Sequence, residues 1–172
     1  MKALKLLFFS DRFHLRKYGR PITNDEYFAM NYGPVPSGGK DLVEASDFRP
    51  DVEKAYAGQF IDSVTQYEFA SIHDVDAVVF SLTDQESLEY VWNHFGSFDQ
   101  FKLAELSHEY PEWKKHEAAL SSESSSRLKM SFSDFLEDPV DGIDPCHALT
   151  EEEREVRREE VQELCSLHNL WN

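Results

Sequence analysis

A histidine set among carboxylates is the commonest device for moving protons near neutral pH, and the chain offers two such sets. His14 sits near Asp11 and Asp25, and His108 is followed directly by Glu109. Either could serve as the acid-base pair of a small hydrolase, but neither has the company that chemistry needs. A nucleophilic serine or cysteine requires a strained, exposed turn; no GxSxG occurs, and Ser10 and Ser37 have ordinary surroundings. His108 and His116 with Glu109 or Glu112 match no tight metal-ligand spacing, and neither HExxH nor CxxC is present. There is no P-loop and no GxGxxG, so a nucleotide-binding fold is unsupported. The histidines therefore read as structural, with no catalytic residue, no metal ligand and no cofactor expected. A hydrolase using His14 or His108 remains the alternative from the enzyme class.

Another kind of chemistry, recognition by shape, is offered by Asp11 to Ser37. Two glycine-proline punctuations, Gly19 with Pro21 and Gly33 with Pro34 and Pro36, flank the aromatics Tyr27, Phe28 and Tyr32. Each proline fixes its own φ and pushes the preceding residue out of the helical region. These residues can simply turn the chain. They can also build a rigid surface that displays aromatic side chains at little entropic cost on association. The surface candidates are Asp11, His14, Tyr18, Arg20, Asp25, Tyr27, Phe28, Tyr32 and Val35.

The elements that must position them follow from periodicity. Leu4, Leu7, Phe8, Leu15 and Tyr18 share one helical face, with Asp11, Arg12 and Arg16 expected mostly on the other; the helix should stop at Gly19. A brief strand is expected at Ala29 to Tyr32, and Gly33 to Ser37 as a stiff turn, with a helix opening at Ser37 or Asp41. Residues 56–72 read as a β-hairpin with its turn near Asp62 and Ser63, and residues 75–80 as a third strand. Thr83 and Glu86 fit a capping box for a helix through Phe95. Further helices are expected from Ser97 to about Ser107, from Pro111, and as a short one over Met130 to Leu136. Thr150, followed by three glutamates, should open a last helix carrying a thin stripe of Val156, Val161, Leu164, Leu167 and Leu170. The expected class is α+β: a mostly helical single domain with a small antiparallel sheet.

With 172 residues, 41% of them hydrophobic, the chain can bury a core. No apolar run reaches the roughly 20 residues of a membrane-spanning helix, and the apolar start lacks a cleavage site. Cys146 and Cys165 fit reduced thiols better than a disulfide framework. A cytoplasmic protein is expected. The net charge is −16, and the basic residues gather early: residues 1–40 hold seven Lys/Arg against three Asp/Glu, leaving ten against thirty beyond. So acidic a body is ill suited to nucleic acid, whose binding depends on clustered cations. The acidity either keeps the chain in solution or suits a basic protein partner.

Asp11-Arg12-Phe13-His14-Leu15, Tyr18-Gly19-Arg20-Pro21-Ile22-Thr23, Asp25, Tyr27, Ala29-Met30 and Gly33-Pro34-Val35-Pro36-Ser37 resemble the signature of the Panacea domain, the SocA-like or GepA-like antitoxin domain. Leu106-Ser107-His108 with Trp113 resembles its closing element. The resemblance covers about residues 4–118. On it, Gly19, Pro21, Met30, Gly33, Pro34, Pro36, His108 and Trp113 become residues of a structural motif, and no catalytic residue is implied. It implies a largely helical fold with a small antiparallel sheet, and an antitoxin of a bacterial or prophage toxin-antitoxin operon that neutralises its toxin by direct binding. A proteolytic adaptor that delivers the toxin to an energy-dependent protease is the alternative. The implied partner is a cognate toxin, encoded in the same operon, with a protease as a second; neither nucleic acid nor membrane is expected. Residues 1–120 are expected to form the antitoxin-like domain, 121–149 a loop and connector with a short helix, and 150–172 an acidic helix. Family members usually carry a further helix before this first segment, so one is expected to be lacking here.

Overall fold

The computed structural model describes residues 1–65, 68–122 and 124–171, with side chains as far as Leu167. Its axis is helix α1, Lys2–Tyr18, in which every residue from Phe8 to Arg16 is buried. The helix is covered all round: α4 (Leu82–Phe95), α5 (Gln100–Ser107), a strand, a 3-10 turn (Phe132–Leu136) and α8 (Glu151–Trp171) all lie against it. Asp11, Arg12 and Arg16, expected on an outward face, are 0% exposed. The polar stripe faces other protein: Arg12 and Arg16 donate to carbonyls and carboxylates far away in sequence, and Asp11 accepts from the loop that follows the helix.

Gly19 ends α1 as expected, at φ 77° and ψ 2°, its N–H donating to Leu15 O at 2.9 Å. In this left-handed conformation a side chain is strained. The chain then forms β1 (Tyr27–Met30) and β2 (Gly33–Pro36), antiparallel, with Tyr27 opposite Pro36 and Met30 opposite Gly33. Two expectations shift here. The strand begins at Tyr27 rather than Ala29, and Gly33 to Pro36 is an edge strand, not a turn. An edge accommodates prolines because the missing N–H is not needed there. Gly33 has φ 90°, and a Cβ on it would collide with Ser107 Oγ and Lys5 Nζ.

The third strand of this sheet is β5, Leu128–Lys129, giving the order β2-β1-β5. It does not come from residues 75–80. There Asp76 accepts a hydrogen bond from Val78 N and caps a 3-10 turn, Ala77–Val79. The expected hairpin exists but is shorter: β3 (Ile61–Ser63) pairs with β4 (Phe69–Ser71), so its turn lies beyond Ser63, while Tyr56 belongs to helix α3 (Asp51–Ala57). Gln66 and Tyr67 of the expected second strand lie outside the described residues. Before α3, α2 (Ser37–Val43) opens where expected.

The cap of α4 is Ser81 with Asp84, not Thr83 with Glu86. Asp99 caps α5 through Phe101 N and Lys102 N. Short helices α6 (Pro111–Lys114) and α7 (Glu117–Ser121) follow, and residues 132–136 take a 3-10 turn in place of the expected helix. Thr150 and Glu153 cap α8 reciprocally. Of the thin stripe, Val161 is buried while Val156 and Leu167 stay exposed; Leu170 lies outside the described side chains. The architecture is α+β, as expected.

Phe8 sits at the centre of the core, edge-on to Phe9, Tyr27, Tyr110 and Phe135, and Phe9 stacks on Phe95. Each such ring contributes about 1.5–3 kcal/mol by leaving water. This core stops abruptly. Between Gly38 and Asp84 no described residue is buried, so α2, α3, the β3-β4 hairpin and the 3-10 turn form an arm laid on the outside.

Candidate functional site

Asp11 is the anchor of the loop that follows α1. Its Oδ1 accepts from Ile22 N (2.8 Å) and Thr23 N (3.0 Å), and its Oδ2 from Tyr27 OH (2.8 Å) and the Thr23 hydroxyl. Burial pushes the carboxyl's pKa up, and these four donors oppose that rise. Burial, with Asp11 alongside, also drives the Tyr27 hydroxyl well above its ordinary value. Thr23 Oγ1 in turn accepts from Asp25 N, and Asp25 receives Gly38 N (2.8 Å) and Gly39 N (2.7 Å) at the start of α2. A chain of hydrogen bonds thus runs from the core helix to the root of the arm.

His14 serves the same loop. Its Nδ1 is 2.7 Å from Arg20 O, so that nitrogen carries the proton, and its Nε2 faces Thr83 Oγ1 at 3.0 Å and Asp84 Oδ1 at 3.1 Å. Burial lowers its pKa. Burial alone would raise the Asp84 carboxyl, but hydrogen bonds from Ser81 and Arg20 outweigh it and hold it low. Thr83 is already the second residue of α4, and Ser81, just before the helix, is its cap. His14 is fully buried and both its ring nitrogens are occupied, which leaves no open position for a reacting atom.

His108 lies flat on Trp113 (centroids 3.7 Å apart), and Trp113 Nε1 donates to Met30 O at 2.9 Å, tying the closing motif to β1. Its Nε2 is buried without a partner, and burial lowers its pKa with Lys5 adding to the effect. Lys5 Nζ donates to Pro34 O at 2.7 Å. Burial brings this lysine from its ordinary 10.5 to about 7. The unfolded chain keeps it charged up to the ordinary value, so folding releases a proton between those limits. Stability should therefore rise as pH climbs from about 7 toward about 10 and be lost as pH falls back through that window. Lys5→Met should flatten the slope, as read from denaturant midpoints across the interval. Among the described residues no group of three or more His, Cys, Asp or Glu side chains is placed to hold a metal ion.

The surface candidates thus divide by position. Asp11, His14 and Tyr27 are interior braces, and Asp25 tethers α2. Arg20 pairs with Asp84 (2.9 Å), Tyr18 OH donates to Glu86, and Phe28 lies under Arg127 (4.9 Å). Tyr32 and Val35, with Met30, open onto a groove of about 730 Å³. Its other apolar walls are Met1, Leu4 of α1, Val43 of α2, Phe69 of β4 and Phe101 of α5. Sequence reasoning missed these walls. The one available signal was Phe101, in the first turn of α5 and away from its buried Leu103 and Ala104. Tyr32 and Phe101 are each 65% exposed.

The family model described as "Antitoxin SocA-like, Panacea domain" matches residues 4–114, from α1 to the end of α6. No curated protein and no solved structure matches the chain. The matched span contains Asp11 and His14, which hold the loop after α1, Asp25, which holds the root of α2, Gly33 of the β1-β2 hairpin, and Trp113, which bonds to that hairpin, and it covers more than half of the sequence. The chain belongs to the SocA-like Panacea-domain antitoxin family.

Proposed function

We propose that this protein is an antitoxin that neutralises a cognate protein toxin by binding it directly, and that it does so without catalysis. Family membership supports the antitoxin role. The observation that carries direct binding is the arm. From residue 39 to residue 83 nothing described is buried, yet Phe48 is 91% exposed, Val78 87% and Leu82 84%. These exposed apolar side chains support reading the arm as a surface for another protein. The hydrolase alternative is not favoured, because His14 and His108 are spent on packing. Among the described residues no helix is long and apolar enough to cross a membrane, and the partner is sought as a protein encoded in the same operon.

The test is growth. Cells expressing the neighbouring open reading frame should be arrested, and co-expression of this chain should restore growth while the toxin stays abundant and co-purifies with it. Toxin that disappears, and does so only when an energy-dependent protease is present, would replace occlusion with the adaptor mechanism. Absence of rescue would remove the antitoxin assignment for that pair.

A further inference from the structure

The arm is moored to the body at its two ends. At the root Asp25 receives Gly38 N (2.8 Å) and Gly39 N (2.7 Å); at the far end Gln85 Nε2 donates to Phe80 O (3.2 Å). Between these moorings bonds close within the arm itself. Glu44 N donates to Lys40 O, Gly58 N to Lys54 O and Ile72 N to Phe60 O, while Lys40, Arg49 and Lys54 pair with Glu44, Glu53 and Asp51. The seam between arm and body is not packed shut. Along it runs the groove of about 730 Å³, with Leu4, Met30 and Phe101 on the body side and Val43 and Phe69 on the arm side.

Each part of the arm is too small to stand alone. Helices α2 and α3 have seven residues each, about half the length at which an isolated helix becomes marginally stable in water. Strands β3 and β4 have three residues each and, among the described residues, pair with each other alone; an isolated two-stranded hairpin is marginal at best. Such pieces hold firmly when they bury an apolar face, but no described residue from 39 to 83 is buried. Helix α1, by contrast, is enclosed from Phe8 to Arg16. Little buried apolar surface and exposed backbone bonds are the marks of a segment whose local opening costs far less than global unfolding.

We propose that the arm opens and closes as one unit on a body that stays folded, and that the partner protein binds the closed form. The second half rests on the direct-binding reading above. The unit spans α2, α3 and the hairpin because α2 packs on α3 and the bond from Ile72 N to Phe60 O closes the base of the hairpin just beyond α3. A partner that takes only the closed arm depletes the open form as its occupancy rises.

Hydrogen exchange of the full chain separates these claims. In the free protein the bonded amides of α2, α3 and the hairpin should be at least about a thousandfold less protected than those of the buried stretch of α1. Gly39→Ala keeps the amide that donates to Asp25, and its added Cβ meets Leu7, Asp25 and Pro36 at ordinary contact distances of 3.5 to 3.6 Å. By favouring the helix it should slow exchange about fourfold in α2, and equally in α3 and the hairpin, with α1 unchanged. Arm amides as protected as those of α1 would overturn independent opening, and slowing confined to α2 would overturn the single unit. The toxin identified by the growth test, added at about a hundred times its Kd, should slow exchange across the arm about a hundredfold. Saturating toxin with arm exchange unchanged would overturn closure by the partner while leaving direct binding intact. No measurable affinity for a toxin whose arrest the chain relieves would overturn direct binding and the partner's part in closure, while the free-chain result would still decide whether the arm opens.

Discussion

Arg12→Ala should cost about 3–5 kcal/mol of stability, the range for breaking a buried ion pair from one side. Arg12 Nη1 donates to Glu112 Oε1 at 2.6 Å with both side chains inaccessible to solvent, and the guanidinium also reaches Glu137 O (2.7 Å) and Pro145 O (3.3 Å) and lies over Tyr110. Glu112 Oε2 already has no hydrogen-bond partner. Burial pushes the Glu112 carboxyl's pKa up even against the pull of Arg12. Without the arginine the acid will protonate to escape an unpaired charge, so the loss should depend on pH. A carboxyl whose folded pKa lies above its unfolded value supports the fold below the unfolded value and weakens it as pH rises through the folded one. The variant should therefore be least impaired in mild acid. In urea at neutral pH its midpoint should fall by about 1–3 M. Adding Glu112→Gln should recover part of that loss at neutral pH and remove the extra pH dependence; equal instability of single and double variants across pH would show that the carbonyl contacts, not the charge pair, carry the effect.

Asp11→Ala is the second large effect, expected at about 2–4 kcal/mol, since hydrogen bonds to a charged group are worth about 1.5–3 kcal/mol each and water can rescue part of the set. Ile22 N and Thr23 N lie near the surface and can be rehydrated, whereas the Tyr27 hydroxyl is buried and would be stranded. Asp11→Asn should be milder. Its oxygen can keep the two amides, and the hydroxyls of Thr23 and Tyr27 can turn to accept from its amide group. Because the bond chain continues through Thr23 and Asp25 to Gly38 and Gly39, the amides of those two glycines should exchange faster in Asp11→Ala than in the parent protein. Unchanged exchange there would mean that α2 is held by other contacts.

The features legible from the sequence are those decided within a few residues. Gly19 with Pro21 stops α1, and Thr150 with Glu153 opens α8, because caps and left-handed turns are local bargains between neighbouring groups. The errors arise where a distant group decides. Arg16 reads as a surface residue by hydropathy, yet its guanidinium donates to the carbonyls of Phe135, Leu136, Glu137 and His147 and to Asp138. Residues 75–80 have strand-forming side chains but pair with no strand among the described residues, and Asp76 captures the backbone instead. β5 arises in a segment without strand character because β1 has a free edge there, and Phe28 and Ala29 supply the pairing. The signature itself was readable as a pattern, but the inward direction of Asp11, His14 and Tyr27 was not. Polar residues in a signature invite a functional reading, and here they brace the loop on which Tyr32 and Val35 are carried.

That no described side chain between Gly38 and Asp84 is buried bears on how such a protein can change over generations. Substitutions at solvent-facing positions usually move stability by less than about 0.5 kcal/mol. The solvent-facing positions of the arm can therefore be rewritten residue by residue without approaching the threshold at which the body unfolds, while Asp25 keeps its root fixed in place. On the proposed reading, in which the arm meets the toxin, positions that contact the partner and positions that hold the molecule together would be largely separate sets, and a descendant could exchange one adversary for another while inheriting the same scaffold.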